Sequence, residues 1–230
     1  MNEVSMTDQI SENIANGRFE SYCRQTESGF DCALGISELI KLSMEKEIPR
    51  SIISEGALDK AMDEAIKKFE KGDYTIPELA IRAKYTGEAR DMLLEQADAA
   101  AVSSKGKLML ATVEGEYYHQ GKDMIAILTR GIGFTTIDLG MGVPVEDILI
   151  SVKKHAPDYL AISTSVKTAT STIREIHKRL ADENCRGDIT TIIDGHLATV
   201  ESAKGIGADH CCRNMVQMLE LLKELAVSPN

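Results

Sequence analysis

The sequence predicts an α/β protein in two domains: a helical bundle over 1–100, then a doubly wound, five-stranded parallel sheet over 101–230. Three observations carry this. Before residue 101, apolar residues recur at three-to-four spacing with few β-branched runs. After it, five short apolar runs alternate with segments of helix length, the pattern of a parallel sheet covered on both faces. Between the two lies "DAAAVSSKG" (98–106), small and polar enough to be a linker.

The helical part reads in order. The stretch "SELIKLSMEKEIPRSIISEGALDKAMDEAIKKFEKGDY" places Leu39, Ile40, Leu42, Met44, Ile52, Ile53, Leu58, Met62, Ile66 and Phe69 at helical spacing. Pro49 sits where a helix can begin, Gly72 where one can end, and Pro77 just inside the next start. Helices are expected over 7–26, 30–45, 49–56, 57–71 and 76–98, packed as a bundle.

In the second part the strands are expected at "KLMLATV" (107–113), "FTTIDL" (134–139), "DYLAIST" (158–164), "TTIID" (190–194) and "DHCC" (209–212). The intervening helices are expected at 121–131, 145–155, 169–183, 197–205 and 214–226. Right-handed crossovers make such a sheet doubly wound.

Bulk properties narrow the function classes. The chain has 230 residues, is 43% hydrophobic and 27% charged, and carries a net charge of −10. That acidic balance argues against sequence-independent nucleic-acid binding, which needs a basic footprint. No apolar stretch approaches the ~18 residues a membrane span needs. The N-terminus lacks the pattern of a secretory signal, so a cytoplasmic location is expected. Five cysteines (Cys23, Cys32, Cys185, Cys211, Cys212) show no CxxC spacing, and reduced thiols are the simplest reading. The adjacent Cys211 and Cys212 read as small apolar residues of a strand rather than as a redox or metal site.

In a doubly wound sheet, ligands lie beyond the carboxyl ends of the strands. The turns there are 114–121, 140–144, 163–167, 194–199 and 212–214. The first falls in "ATVEGEYYHQGKDM" (111–124) and is unusual, because strand-to-helix turns are commonly built from small residues. This one carries Glu116, Tyr117, Tyr118 and His119 before Gly121 opens a helix. The other turns offer Met141, Gly142 and Val143; Ser163, Ser165 and Lys167; Asp194, Gly195 and His196; and Asn214. "GEYYHQGK" has neither Walker spacing nor GxGxxG, so nucleotide binding is weakly supported. An aspartyl-phosphate receiver would need acidic residues ending its first and third strands, and the third ends in Ser163, Thr164 and Ser165. His155 and His177 read as solvent-facing, His210 as a surface residue, and His196 as a possible ligand contact.

The segments "ATVEGEYYHQGKDM", "IDLGMGVPVEDIL", "APDYLAISTSVKTATSTI", "TIIDGHLAT" and "GADHCC" resemble the cobalamin-binding domain of methionine synthase and the small corrinoid proteins of methanogens and acetogens. "GALDKAMDEAIKKFEKGDYTIPELAIRA" resembles the helical domain that precedes it there, and the likeness runs from about residue 38 to the end. It implies a Rossmann-like, flavodoxin-like domain holding cobalamin or a related corrinoid, with the residues named above as the binding set. It also implies a methyl carrier that accepts a methyl group on cobalt from one methyltransferase and presents it to another. Partner methyltransferases and a reductive activase are implied; nucleic acid and membrane are not. The alternative is a non-catalytic protein that stores or senses a corrinoid or another tetrapyrrole such as haem.

The family's axial-ligand motif is Asp-x-His-x-x-Gly, in which the histidine binds cobalt and the aspartate orients it. Aligned without a gap on Gly115 and Gly121, this chain has Glu116 at the aspartate position and Tyr118 at the histidine position, with His119 one residue later. Three readings stay open: His119 ligates cobalt; Tyr118 faces it, or no protein ligand exists; or the turn is mere packing. The gap-free register places Tyr118 nearer the metal. The Gly-Gly expected after the fourth strand appears as Asp194-Gly195. The nucleotide tail is expected between 163–167 and 194–196, with Lys167 offsetting Asp194. Phe69, Tyr74, Ile76, Leu79 and Tyr85 are candidates for a lid over the cofactor, though bundle core is the simpler role for each.

Overall fold

The computed structural model describes residues 3–26, 29–95, 104–165, 169–183, 185, 189–195 and 198–227. It divides into two compact units, Met1–Ser103 with Arg130–Gly133, and Ser104–Thr129 with Phe134–Asn230.

The first unit begins with α1 (Glu3–Asn16), whose Met6, Ile10 and Ile14 fall four residues apart on one buried face. They pack with Ile36, Leu39 and Ile40 of α2 (Ile36–Glu45), with Ile53, Leu58 and Ala61, and with Ala89 and Leu93. From Arg50 to Glu70 the helix is continuous. It runs through α3 (Arg50–Ile53), one π-helical turn (Ser54–Asp59) and α4 (Lys60–Glu70), where two helices had been expected. The last helix, α5, spans Ile76–Glu95.

Between α1 and α2 the expectation of helix fails. Residues expected to end one helix and begin another instead form an antiparallel hairpin, β1 (Tyr22–Thr26) and β2 (Gly29–Ala33). All five residues of β1 are exposed, so no alternation of apolar and polar residues announces the strand. The pairing sets Cys23 directly opposite Cys32, and the two are joined in a disulfide, which corrects the expectation of reduced thiols at these positions. Cys185, Cys211 and Cys212 are free.

The second unit is a five-stranded parallel sheet with strands β3 (Lys107–Thr112), β4 (Thr135–Asp138), β5 (Tyr159–Ser163), β6 (Thr190–Asp194) and β7 (His210–Cys212). Their order is β4-β3-β5-β6-β7, so the chain reverses direction across the sheet between β3 and β5. Helices α6 (Gln120–Gly131), α7 (Val145–His155), α8 (Ala169–Asp182), α9 (Val200–Ile206) and α10 (Met215–Val227) alternate with the strands. All five residues of β5 are buried, as befits a central strand covered on both faces. One side of the core gathers Met109, Ala111, Leu160, Ile162 and Ile193 against Ile148, Leu149, Ile173 and Ile176. His177, on α8, is 6% exposed and not solvent-facing as expected.

Three of the suggested lid residues have partners within the first unit. Leu79 is buried, Tyr85 stacks on Phe19 with ring centroids 4.1 Å apart, and the Tyr74 hydroxyl donates to the Ala15 carbonyl at 2.8 Å. Ile76 is 43% exposed.

Candidate functional site

Glu116 is the pivot of the edge where the strands end. The strand β3 finishes at Thr112, and Gly115, at φ +87°, turns the chain back with a backbone angle that side chains disfavour. The Thr112 hydroxyl donates to the Glu116 carbonyl at 3.1 Å and accepts from the Gly142 N–H at 2.9 Å. The Val143 N–H donates to the Thr112 carbonyl at 2.8 Å, and the Glu114 N–H to the Val143 carbonyl at 3.2 Å. The turns after β3 and β4 are thereby stitched together.

The Glu116 side chain then crosses to the turn after β5. It is 1% exposed, and its carboxylate accepts from the Ser165 N–H at 2.5 Å and from the Ser165 hydroxyl at 2.8 and 2.9 Å. It also accepts from the Tyr118 N–H at 2.9 Å. A carboxylate in so little water is held in place by such charge-assisted bonds. The crossing lies at the reversal in strand order, where an open α/β sheet leaves its crevice.

Above this pivot the large side chains stand in solvent. Tyr117 is 74% exposed, Tyr118 57% and Met141 56%, while Val143 beside them is buried. His119 immediately precedes α6, and its Nδ1 lies 2.6 Å from Asp123 Oδ2, one helical turn on. Asp123 is shared. Lys122, with a side chain only 2% exposed, donates to Asp123 Oδ1 at 2.8 Å and to both Asp138 oxygens at 2.6 Å. Burial opposes the Lys122 charge, yet the hydrogen bonds it donates to Asp123 and Asp138 outweigh it and raise its pKa. For Asp123, burial pushes the pKa up, but the bonds from Lys122 and His119 win and hold it below the ordinary carboxylate value. The sequence reading missed Lys122, Asp123 and Asp138. The available signal was an apolar helix face interrupted by a lysine just after Gly121.

The far side of the edge is built differently. Asp194 ends β6, and burial lifts its carboxyl to about 6 despite the 2.6 Å bond it accepts from the Ser163 hydroxyl. Next to it, Gly195 has φ +120°, and a Cβ there would stand 2.1 Å from the Thr164 carbonyl oxygen. Only glycine lets these two turns touch. The Cys212 thiol is pushed up to about 12, first by burial and then by the neighbouring Asp194 charge. Asn214 is exposed and accepts the Gln217 N–H at 3.0 Å, so its side chain caps α10. Lys167 and His196 lie outside the described residues.

Of the residues singled out from the sequence, Glu116, Tyr117, Tyr118, His119, Gly121, Met141, Gly142, Val143, Ser163, Ser165, Asp194 and Gly195 therefore lie at the ends of neighbouring strands, in the turns after them or, for Gly121, at the start of α6. The model of the B12 binding domain matches residues 106–221. The chain belongs to that family. Its relatives include "Dimethylamine corrinoid protein 3" of Methanosarcina acetivorans, 27% identical over 78% of this chain and 84% of the relative. "Dimethylamine corrinoid protein" of Methanosarcina barkeri is 29% identical over 85% of this chain and 90% of the relative. Among solved structures, the methanol:cobalamin methyltransferase complex of Methanosarcina barkeri aligns with a TM-score of 0.79 at 19% identity, over 98% of this chain and 81% of that one. A cobalamin-binding protein from Desulfitobacterium hafniense aligns with a TM-score of 0.70 at 23% identity, over 97% of this chain and 98% of that one. At these identities the two structures bear on the fold, and they share the helical region and the five-stranded sheet found here.

The edge suits a flat macrocycle. Nothing lies within 4 Å of where a Cβ would stand on Gly115, Gly121 or Gly140, so the backbone is open to close approach. The exposed rings of Tyr117 and Tyr118 and the Met141 thioether offer apolar surface beside it. Among the described residues no cluster of His, Cys, Asp and Glu would bind a bare ion, whereas a metal already held by a macrocycle needs only one or two protein ligands. No helix among them is long and apolar enough to cross a membrane.

Proposed function

We propose that this B12-binding chain is a methyl carrier that works between methyltransferases. The single observation behind it is the open, apolar-lined edge at the strand reversal, pinned from below by Glu116 and Ser165. The homology to dimethylamine corrinoid proteins over more than three quarters of the chain supports the methyl-transfer role.

In this reading Tyr117, Tyr118, Met141 and the Gly115 and Gly140 turns bear the macrocycle, and the 163–165 and 194–195 turns flank its nucleotide tail. The corrinoid supplies a cobalt centre able to accept and release a methyl group. The chain contributes what a cofactor lacks. Glu116 fixes the spacing of two turns, the exposed rings exclude water from the face they cover, and His119 presents a ring nitrogen. A methyltransferase is the expected partner.

The test mixes reduced, corrinoid-loaded protein with purified methyltransferases and an isotopically labelled methylamine, methanol or aryl methyl ether. Label that arrives on the protein-bound corrinoid, and leaves it when a second methyltransferase and its acceptor are added, supports a carrier. A corrinoid held tightly but never labelled supports storage or sensing.

A further inference from the structure

We propose that His119 is the protein group that faces the metal, and that Asp123, not Glu116, is the carboxylate that orients it. This rests on the corrinoid reading above and departs from the register in which Tyr118 would take that place.

The orienting carboxylate is identified by what each acid holds. Both oxygens of Glu116 accept from Ser165 and one also from the Tyr118 backbone, so this side chain ties turns together, and among the described residues no hydrogen bond joins it to His119. Asp123 has one oxygen on His119 Nδ1 and the other on Lys122 Nζ. A carboxylate oxygen only accepts, so the 2.6 Å contact places the proton on Nδ1. That leaves Nε2 with a free lone pair. No partner for it exists among the described residues, and the side chain is 41% exposed. A histidine with one nitrogen donated to a carboxylate and the other open is the arrangement metal-binding histidines adopt.

The arrangement is anchored. The Asp123 N–H donates to the His119 carbonyl at 2.9 Å, fixing the two residues one turn apart at the start of α6. Lys122 continues the chain of bonds to Asp138 at the end of β4. The path His119–Asp123–Lys122–Asp138 thus ties the ring through α6 to the end of β4. Tyr118 has no comparable support: its backbone is bound to Glu116, but its hydroxyl has no partner among the described residues to take its proton. A phenol with an ordinary pKa of about 10 is a weak ligand at neutral pH without one.

Two measurements test this. In the cofactor-free protein, nitrogen NMR of labelled histidine should show neutral His119 protonated at Nδ1. Asp123→Asn should shift it toward the Nε2-protonated tautomer, whereas Glu116→Gln should leave the tautomer unchanged. A His119 already protonated at Nε2 in the parent protein overturns the positioning role. In protein loaded with cob(II)alamin, electron paramagnetic resonance should show nitrogen splitting that changes from triplet to doublet lines with 15N-histidine. The splitting should vanish in His119→Ala and persist in Tyr118→Phe. Bound corrinoid whose splitting ignores the histidine label, or survives in His119→Ala, overturns the proposal and leaves corrinoid binding intact. Failure to bind any corrinoid overturns both.

Discussion

The Glu116 carboxylate receives both the backbone N–H and the hydroxyl of Ser165, 49 residues further along the chain. One buried side chain thus joins the turns on either side of the strand reversal, and the spacing of the floor beneath any ligand depends on it. Replacing Glu116 by alanine leaves the Ser165 and Tyr118 N–H groups without their acceptor. We expect a loss of about 2–3 kcal/mol, the range for buried bonds to a charged group. Ser165→Ala, which keeps the backbone bond, should cost about 1 kcal/mol. Urea denaturation of the two variants measures both, and equal losses would contradict the dominant role of the backbone contact.

Gly195 and Thr164 approach so closely that any Cβ must displace backbone. Gly195→Ala should therefore destabilise the protein by about 3 kcal/mol, combining a disfavoured positive φ with a steric clash. Gly121→Ala has open space and no positive φ, so it should fall within about 0.5 kcal/mol of the parent. Thermal melts of the pair separate a required glycine from a permitted one.

The sheet was legible because each strand is a short apolar run closed by glycine or polar residues, and periodicity reports burial directly. The hairpin of β1 and β2 was not, since Tyr22, Cys23, Arg24, Gln25 and Thr26 all face solvent and bury nothing for a pattern to reveal. The disulfide followed the hairpin into obscurity: Cys23 and Cys32 become partners only once the strands pair. In the candidate site, residue types at strand ends pointed to the correct edge, because the topology of a parallel sheet dictates where its turns gather. The partners of those residues were hidden. Glu116 meets Ser165, and Lys122 meets Asp138 16 residues on, through crossings that one-dimensional spacing does not record.

Asp194 should make stability depend on pH in an unusual direction. Its carboxyl titrates at about 6 in the fold against 3.8 as the ordinary value, so the folded state holds the proton more tightly. The contribution is complete below the ordinary value and is lost as pH rises through about 6. The difference corresponds to about 3 kcal/mol. Asp194→Asn should accordingly gain stability relative to the parent between about pH 4 and pH 7, by up to that amount. Denaturation series at both pH values check it, and a constant difference would show that Asp194 titrates alike in the folded and unfolded chain.

Lys122 is the cation that Asp123 and Asp138 share. Lys122→Met should cost about 1 kcal/mol, modest because both carboxylates are partly solvated. Urea denaturation of the variant reads the loss, and a cost well above about 3 kcal/mol would contradict the solvated character of this cluster.

Equilibrium dialysis of the purified protein against micromolar hydroxocobalamin, read by visible absorption, decides whether the edge built on Glu116 and Ser165 is a corrinoid site. One corrinoid retained per chain, with retention sharply reduced in Gly195→Ala that is still folded by circular dichroism, is the expected result. No retained corrinoid, alongside stoichiometric binding of haem under the same conditions, would contradict it.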